Sequence, residues 1–217
     1  MQMLSAIRSS TLGIAVFAVV TAGLIAITQV GTAERIKRNE LEQQARALYE
    51  IVSRDSLDDD LLDHPVEFVA PALLGHERPE TGYRGYRNGE PALVILPVIA
   101  PDGYTGEISL IVGINADASV AGVRVLAHKE TPGLGDKIDL KKSKWVLGFA
   151  GQNKDGEDDP SWAVRKDGGR FDQFTGATIT PRAVVNAVGR AVDYFREHRA
   201  ELLGVEEAKT QQEASHG

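Results

Sequence analysis

The most pronounced pattern in the chain is an uncharged, apolar stretch close to its N-terminus. No residue of Ser9–Ala33 is charged, and the centre of the stretch reads LGIAVFAVVTAGLIAI. A helix needs about 20 apolar residues to cross the hydrocarbon core of a bilayer. We therefore expect a single transmembrane anchor within residues 1–33. A cleaved signal peptide is the alternative, because Gly31–Ala33 resembles a small-residue cleavage site, but the stretch is longer than a usual signal core.

A helical period follows the anchor. Apolar residues recur mostly at helical spacing, and charged residues occupy the other side: Ile36, Leu41, Ala45, Leu48 and Val52 against Glu34, Arg38 and Glu42. This pattern predicts an amphipathic helix that leaves the membrane. The acidic stretch Asp55–Asp63 lacks the glycine and the terminal glutamate of a calcium loop, so we interpret it as a solvated turn. Residues 34–90 are assigned to this helix and a connecting region.

Beyond residue 90 the pattern changes to that of β-strands. Short apolar or alternating runs, several of them rich in branched side chains, predict strands at Leu93–Ile99, Glu107–Ile114, Val120–Ala127 and Ser161–Lys166. The second and third runs are joined by the turn Asn115–Ala118, which predicts a hairpin. Neighbouring strands joined in this way pair in the antiparallel direction, so we expect an antiparallel sheet.

A strong helical pattern closes the chain. Thr180 is a good N-cap and Pro181 suits the first helical position. One apolar face is marked by Val184, Val188, Ala191 and Phe195. Residues 204–217 are polar and are expected to be disordered. The sequence thus predicts an α+β protein: one N-terminal transmembrane helix, then a domain at residues 91–203 with an antiparallel sheet and flanking helices.

Composition narrows the chemistry. The chain has 217 residues and no cysteine, which excludes disulfides, thiolate zinc sites, a cysteine nucleophile and iron–sulfur clusters held by the usual thiolates. The net charge is −7, from 31 acidic and 24 basic residues. Because no basic block stands out, nucleic acid is not an expected partner.

Two loops carry the candidate chemistry. The first is Glu130–Gly135, reading ETPGLG, whose glycines would let the backbone approach a ligand closely. The second is Asp172–Thr178, reading DQFTGAT, directly before the predicted helix. Helix N-termini favour phosphate, because their N–H groups are unpaired and carry partial positive charge. From the pattern alone, a structural turn in which Thr175 and Thr178 only cap the helix remains open.

The second loop fits the pattern D-x-x-[ST]-G-A-T, the flavinylation motif of the covalent-FMN-binding domain family, and the first loop is similar to that family's E-T-P-G-L-G segment. Together with the N-terminal span, the stretch DQFTGATITPRAVVNAV resembles the G subunits of Rnf-type ion-translocating electron-transport complexes. The resemblance runs from the anchor to about Leu203. Members of this family receive FMN from a flavin transferase, as a phosphoester on the last threonine of the motif.

The resemblance implies a role for each loop residue. Thr178 would hold covalent FMN, with Gly176 and Ala177 leaving room for it. Asp172 and Thr175 would belong to the motif that the transferase recognises. The flavin would lie against the other loop, namely Glu130, Thr131, Gly133, Leu134 and Gly135, with Thr131 and Leu134 as the foremost contacts. No catalytic residue and no metal ligand is implied.

The implied function is an electron relay in a membrane complex, with other membrane and redox subunits, the flavin transferase and the lipid bilayer as partners. The family's transferase works in the periplasm, so the domain would lie on the periplasmic side of a bacterial inner membrane. The basic residues after the span, counted alone, place it in the cytoplasm instead. Two alternative functions remain: the C subunit of the sodium-translocating NADH:quinone reductase, and a non-redox membrane-anchored binding module.

Overall fold

The computed structural model describes residues 14–15, 17–23 and 46–205, and the chain divides into two units, Met1–Gln44 and Ala45–Gly217. In the first unit the described residues are helical, and the Thr21 hydroxyl donates a 2.8 Å hydrogen bond to the Phe17 carbonyl. Among the described residues, no helix is both long and apolar enough to cross a membrane. Most of the predicted anchor, much of the predicted amphipathic helix and nearly all of the polar tail lie outside the described residues.

The second unit is built on a five-stranded antiparallel sheet with the strands in chain order, β1-β2-β3-β4-β5. The strands are β1 Pro65–Ala70, β2 His76–Arg87, β3 Glu90–Ala100, β4 Ile108–Asn115 and β5 Val120–Ala127. Three of the predicted strands and the β4–β5 hairpin are therefore confirmed. The prediction that strands begin near residue 91 is wrong, because β1 and β2 precede it and pair with the same sheet.

Helices cover both faces of the sheet. The long helix α2, Ile179–Glu197, packs on β3 and β4, and the short α3, Arg199–Leu203, follows it. The predicted apolar face is confirmed, because its members are fully buried: Val184, Val188, Ala191 and Phe195. Residues 46–51 form the helical segment α1, and its Leu48 packs with Leu93 and Ile95 in a second, smaller core. Because β3 is covered on both sides, it reads as a continuous apolar run.

Segment α1 is fastened closely to the sheet. Gly113 and Gly122 face each other on β4 and β5, and a Cβ on Gly113 would lie only 2.6 Å from the Ile51 side chain. Arg124 on β5 adds a 2.9 Å ion pair with Glu50 and donates a 2.6 Å hydrogen bond to the Glu50 carbonyl. The glycine pair thus provides the close approach that this packing requires.

The segment between β5 and α2 contains short 3₁₀ turns around an aromatic cluster. The Phe149 and Phe171 rings stack at 4.5 Å, and Trp162 meets Phe171 edge-on at 5.0 Å. The predicted strand at Ser161–Lys166 is wrong. The segment is bends, one isolated bridge from Val164 to Phe171 and a 3₁₀ turn, Arg165–Asp167. Its apolar residues are buried by the aromatic cluster and not by a neighbouring strand.

The acidic stretch before β1 makes hydrogen bonds to α1 and to the turn between β2 and β3. The Asp58 carboxylate accepts hydrogen bonds from the backbone N–H groups of Asn88 and Gly89, at 3.0 and 2.7 Å. Asp60 accepts hydrogen bonds from Tyr49 and Arg54. The Asp58 bonds tie the segment after α1 to the turn between β2 and β3, and the Tyr49–Asp60 bond ties it to α1. The segment is therefore more ordered than the solvated turn that the sequence suggests.

Candidate functional site

A tight turn presents the second candidate loop to solvent. Phe174 is buried and pairs with Ala177 across the turn, and the Ala177 N–H donates a 3.1 Å hydrogen bond to the Phe174 carbonyl. Thr175 and Gly176 form the exposed tip. Gly176 has a φ of +83°, a conformation that an L side chain rarely adopts. The motif glycine is therefore required by the backbone of this turn.

Thr178 follows the turn and stands directly at the N-terminus of α2. Its φ and ψ, −79° and −27°, are already helical, and its side chain makes no capping hydrogen bond. The side chain is half-buried. Its carbonyl accepts a 3.3 Å hydrogen bond from the Arg182 N–H in the first turn of the helix. The hydroxyl therefore sits beside the positive end of the helix dipole without being used as a cap.

The prediction that Thr180 caps this helix is wrong. The helix begins at Ile179, so Thr180 is its second residue and Pro181 its third. Thr180 is completely buried, and its hydroxyl donates a hydrogen bond to the Glu130 carboxylate. Pro181 remains compatible with this position, because N–H groups in the first helical turn have no partner within the helix.

The start of the motif is held from two sides. The Asp172 carbonyl accepts a 2.7 Å hydrogen bond from the indole N–H of Trp145. The Asp172 carboxylate forms a 2.8 Å ion pair with Arg165, and both side chains are exposed. The Trp145 ring also meets the Phe174 ring edge-on at 5.1 Å. Trp145 thus contacts both ends of the segment that leads into the turn, Asp172 and Phe174. The sequence around Trp145 does not indicate this role.

The first candidate loop is a compact turn around the Thr131 carbonyl. That carbonyl accepts hydrogen bonds from the N–H groups of Leu134 and Gly135, both at 3.1 Å. The Gly133 N–H donates a 2.8 Å hydrogen bond to the Asp136 carboxylate, and Gly133 has a φ of +79°. Thr131 is half-buried and Gly133 is exposed. The turn leaves the Leu134 side chain 42% exposed.

The two loops meet at the surface. A Cβ built on Gly176 would lie 3.7 Å from the Leu134 side chain, so the tips of both loops are neighbours. The Lys137 ammonium lies 6.0 Å from the centroid of the Phe174 ring. The exposed Leu134 side chain therefore lies beside the tip of the second loop, two residues before Thr178, and Lys137 lies over Phe174 of the same turn.

An exposed ion pair borders the helix end of the site. Arg182 donates two hydrogen bonds to the Asp167 carboxylate, at 2.6 and 2.9 Å. These bonds lower the pKa of Asp167 and raise the pKa of Arg182. The Arg182 guanidinium is therefore already paired with a carboxylate and is less available to balance an added anion.

The remaining predicted contact, Glu130, is turned into the protein. Its side chain is only 4% exposed, and its carboxylate accepts hydrogen bonds from Thr105 and Thr180. The Glu130 N–H donates a 3.1 Å hydrogen bond to His128 Nδ1. Gly135 is buried beside this carboxylate. Of the predicted flavin contacts, Leu134 and Gly133 are thus exposed at the surface, whereas Glu130 and Gly135 lie beneath it.

Comparison with known proteins identifies the family of the chain. Residues 103–193 match the FMN-binding domain family, and residues 1–51 match the RnfG N-terminal region. The G subunit of an ion-translocating oxidoreductase complex of Vibrio cholerae serotype O1 is 51% identical over 200 residues, which cover 92% of this chain and 95% of the relative. The chain belongs to that family of G subunits. This confirms the resemblance that the two loops indicate.

Further G subunits show the same extent of similarity. Those of Pseudomonas aeruginosa and Shewanella loihica are 49% and 48% identical to this chain, over 94% and 90% of its length. The matches cover 95% and 92% of the relatives. The FMN-binding domain match contains both candidate loops, from Glu130 to Thr178, which places the site inside the part of the chain that the family defines.

Proposed function

We propose that this chain is the covalent-FMN relay subunit of an Rnf-type ion-translocating oxidoreductase complex, with FMN bound to Thr178 through a phosphoester. The observation that carries the proposal is the Thr178 hydroxyl: it lies at the N-terminus of α2 and makes no capping bond. FMN supplies one-electron and two-electron transfer when it is bound. The chain's own residues hold the group and shield part of it.

The residues present fit a flavin phosphate at this position. The helix N-terminus favours a phosphate, and the exposed Gly176 leaves the approach to Thr178 open. Leu134 offers an exposed apolar side chain next to the turn. The Lys137 ammonium lies over the Phe174 ring of the same turn, 6.0 Å from its centroid. The site thus offers a hydroxyl for the phosphoester, a helix N-terminus for the phosphate and an apolar side chain for the flavin ring.

Attachment of FMN to Thr178 is a phosphoryl transfer. Condensation of free FMN with the hydroxyl would have to expel water, so the donor must carry a phosphoanhydride, as FAD does. The Thr178 oxygen forms a bond to the flavin-side phosphorus, and the anhydride oxygen leaves with AMP. The hydroxyl proton passes to a base of the transferase. No electron is gained or lost in this step.

The decisive experiment replaces the acceptor hydroxyl. In cells that contain the transferase, Thr178→Ala should leave the chain folded and assembled, without flavin and without electron transfer through the complex. Because Thr178 makes no capping bond, its loss should cost at most about 1 kcal/mol, which is small against a domain stability of about 5–15 kcal/mol. Thr178→Ser keeps the hydroxyl but loses the methyl that restricts its rotamer, so it should be intermediate.

The readouts are the mass of the peptide that contains Thr178 and in-gel flavin fluorescence after denaturation. Ser143→Ala and Ser161→Ala are the controls and should keep the flavin. An unmodified Thr178 peptide in the wild type would reject the covalent link. Full electron transfer by a flavin-free Thr178→Ala variant would reject the relay and support the non-redox binding module instead.

We also propose a single-span anchor with the domain on the periplasmic side of the inner membrane. The uncharged stretch Ser9–Ala33 supports the anchor, and the need to reach the transferase supports the orientation. Fusions of alkaline phosphatase and of a green-fluorescent protein to the C-terminus test it. An active phosphatase is expected, whereas a fluorescent and phosphatase-silent C-terminus would reverse the orientation.

A further inference from the structure

A buried carboxylate lies beneath the candidate site, and no cation of the described part of the chain forms a salt bridge with it. Glu130 Oε1 accepts hydrogen bonds from the N–H and the hydroxyl of Thr105, both at 3.1 Å. Glu130 Oε2 accepts the hydroxyl of Thr180. With 4% of its surface exposed, this carboxylate is stabilised by three donors and by the start of helix α2.

These three bonds, which together form the Glu130 clamp, join segments that are far apart in the chain. Thr105 belongs to the loop between β3 and β4, Glu130 begins the ETPGLG turn, and Thr180 is the second residue of α2. The packing around the carboxylate is close. A Cβ on Gly135 would lie 2.8 Å from both Glu130 Oε2 and Thr180 Oγ1, and a Cβ on Gly103 would lie 3.0 Å from Glu130 Oε1.

We propose that Glu130 is a positioning residue that sets the location of the Thr178 hydroxyl for flavin attachment. The proposal rests on the proposed function. Thr180 is two residues from Thr178 in the same helical start, so the Glu130–Thr180 bond fixes the segment on which the acceptor hydroxyl stands. The same carboxylate fixes the turn that carries Leu134. Glu130 therefore holds the acceptor and its neighbouring apolar contact in one arrangement.

A positioning role predicts different effects on the kcat and on the KM of flavin attachment. A transferase can touch the exposed residues Asp172 and Thr175, and the Glu130 carboxylate is not among the surfaces open to it. Loss of the clamp should therefore leave the recognition of the chain almost unchanged. The transfer step itself requires the Thr178 oxygen in line with the phosphorus, and small displacements of a reacting atom are costly. The clamp should therefore act on kcat and hardly on KM.

The test uses the purified full-length chain, the flavin transferase and FAD. Thr180→Val removes the donor to Glu130 at nearly constant volume, and Thr180→Ser restores the hydroxyl. Thr180→Val should lower kcat for flavin attachment by about tenfold to a hundredfold, with KM for the acceptor chain changed by less than about threefold. Thr180→Ser should recover most of kcat. Thr105→Val, which cuts a bond at the opposite end of the clamp, should lower kcat in the same direction.

Asp193→Asn is the matched control for a general loss of stability. Asp193 lies on the same helix, far from Thr178 in sequence, and pairs with the buried Lys154 at 2.7 Å. This variant should unfold at a lower temperature and keep the wild-type kcat. If Thr180→Val fails to fold, Thr105→Val and Glu130→Gln decide the question.

Each outcome has one meaning. Wild-type kcat in folded Thr180→Val and Thr105→Val variants overturns the positioning role. An equal loss of kcat in Asp193→Asn also overturns it, because the effect would then follow stability. If the wild-type chain itself is not modified on Thr178, the proposed function has failed, and this result is distinct from a failure of the clamp.

Discussion

Replacement of Gly135 by alanine should destabilise the protein, because the added methyl group disrupts the Glu130 clamp. The new methyl group would lie 2.8 Å from Glu130 Oε2, 2.8 Å from Thr180 Oγ1 and 3.0 Å from Glu130 Cβ. All three atoms belong to buried side chains, so they cannot move into solvent. Gly135 has no positive φ, and the backbone conformation itself therefore accepts alanine. The perturbation is steric only.

The expected cost follows from these contacts. Insertion of a methyl group into a packed interior costs about 1–3 kcal/mol, and loss of a hydrogen bond to a charged acceptor costs about 1.5–3 kcal/mol. The lower chain entropy of alanine in the unfolded state offsets about 0.4–1 kcal/mol. The net loss should be about 2–4 kcal/mol if the methyl group displaces the Thr180 hydroxyl from Glu130. For a domain of this size, that loss lowers Tm by about 5–15 °C.

Thermal unfolding of the full chain in detergent, followed by near-ultraviolet circular dichroism, measures this loss. Gly148→Ala is the matched control: its added Cβ meets nothing within 4 Å, and Gly148 also has no positive φ. The control should unfold at or slightly above the wild-type temperature. A Gly135→Ala chain that unfolds within about 2 °C of the control would show that the clamp yields freely, and would contradict the reasoning.

Two further predictions concern charged groups outside the site. Hydrogen bonds from Ser161, with smaller contributions that include Arg170, lower the pKa of Asp159 from 3.8 to about 2. The ionised Asp159 side chain stabilises the protein fully above pH 3.8, and this effect is lost as the pH falls towards 2. The difference in Tm between wild type and Asp159→Asn should therefore shrink through this window. A constant difference would contradict the prediction. Lys154→Met should cost about 3 kcal/mol in urea unfolding, at the low end for a broken buried pair, because Asp193 loses its partner but is itself only partly buried. Lys154→Met with Asp193→Asn should recover part of this cost, and a loss under about 1 kcal/mol would show that the pair is dispensable.

The sequence predicts the centre of the sheet well and its beginning poorly. Strands β3 to β5 carry apolar residues on one or both faces, so hydrophobic pattern alone finds them. Strand β2 reads HERPETGYRGYR, and its glycines, proline and arginines are typical of a loop. It becomes a strand because β3 and β1 pair with it on both sides. Tertiary pairing decides such a segment, and one sequence does not reveal it.

The opposite error occurs at Ser161–Lys166. Trp162 and Val164 lie two residues apart, as on one face of a strand, and both are buried. Among the residues that the structure describes, no neighbouring strand buries Trp162. Its indole N–H donates a 3.0 Å hydrogen bond to the Val185 carbonyl on α2, and the Arg170 guanidinium lies 5.4 Å from its ring. Alternation reports one buried side of an extended segment, but it does not report what buries it.

At the site, the motif identified the loops but not their support. The position of Thr178 before α2 follows from the sequence, because a threonine-proline pair indicates a helix start. The partner of Thr180 does not follow, because Glu130 is 50 residues away in the chain. Trp145 likewise reaches Asp172 across 27 residues. Side chains that act through distant partners leave no local pattern from which they could be found.

The order of the strands has a consequence for the biosynthesis of the protein. Within the described residues, each strand pairs only with its neighbours in the chain. The sheet can therefore assemble hairpin by hairpin as the polypeptide emerges, with short loops to close. Helix α2 is made after all five strands, and it covers one face of a sheet that already exists. Thr178, the residue directly before its first turn, comes into place only at that moment. An enzyme that requires this placement would modify completed chains and pass over unfinished ones.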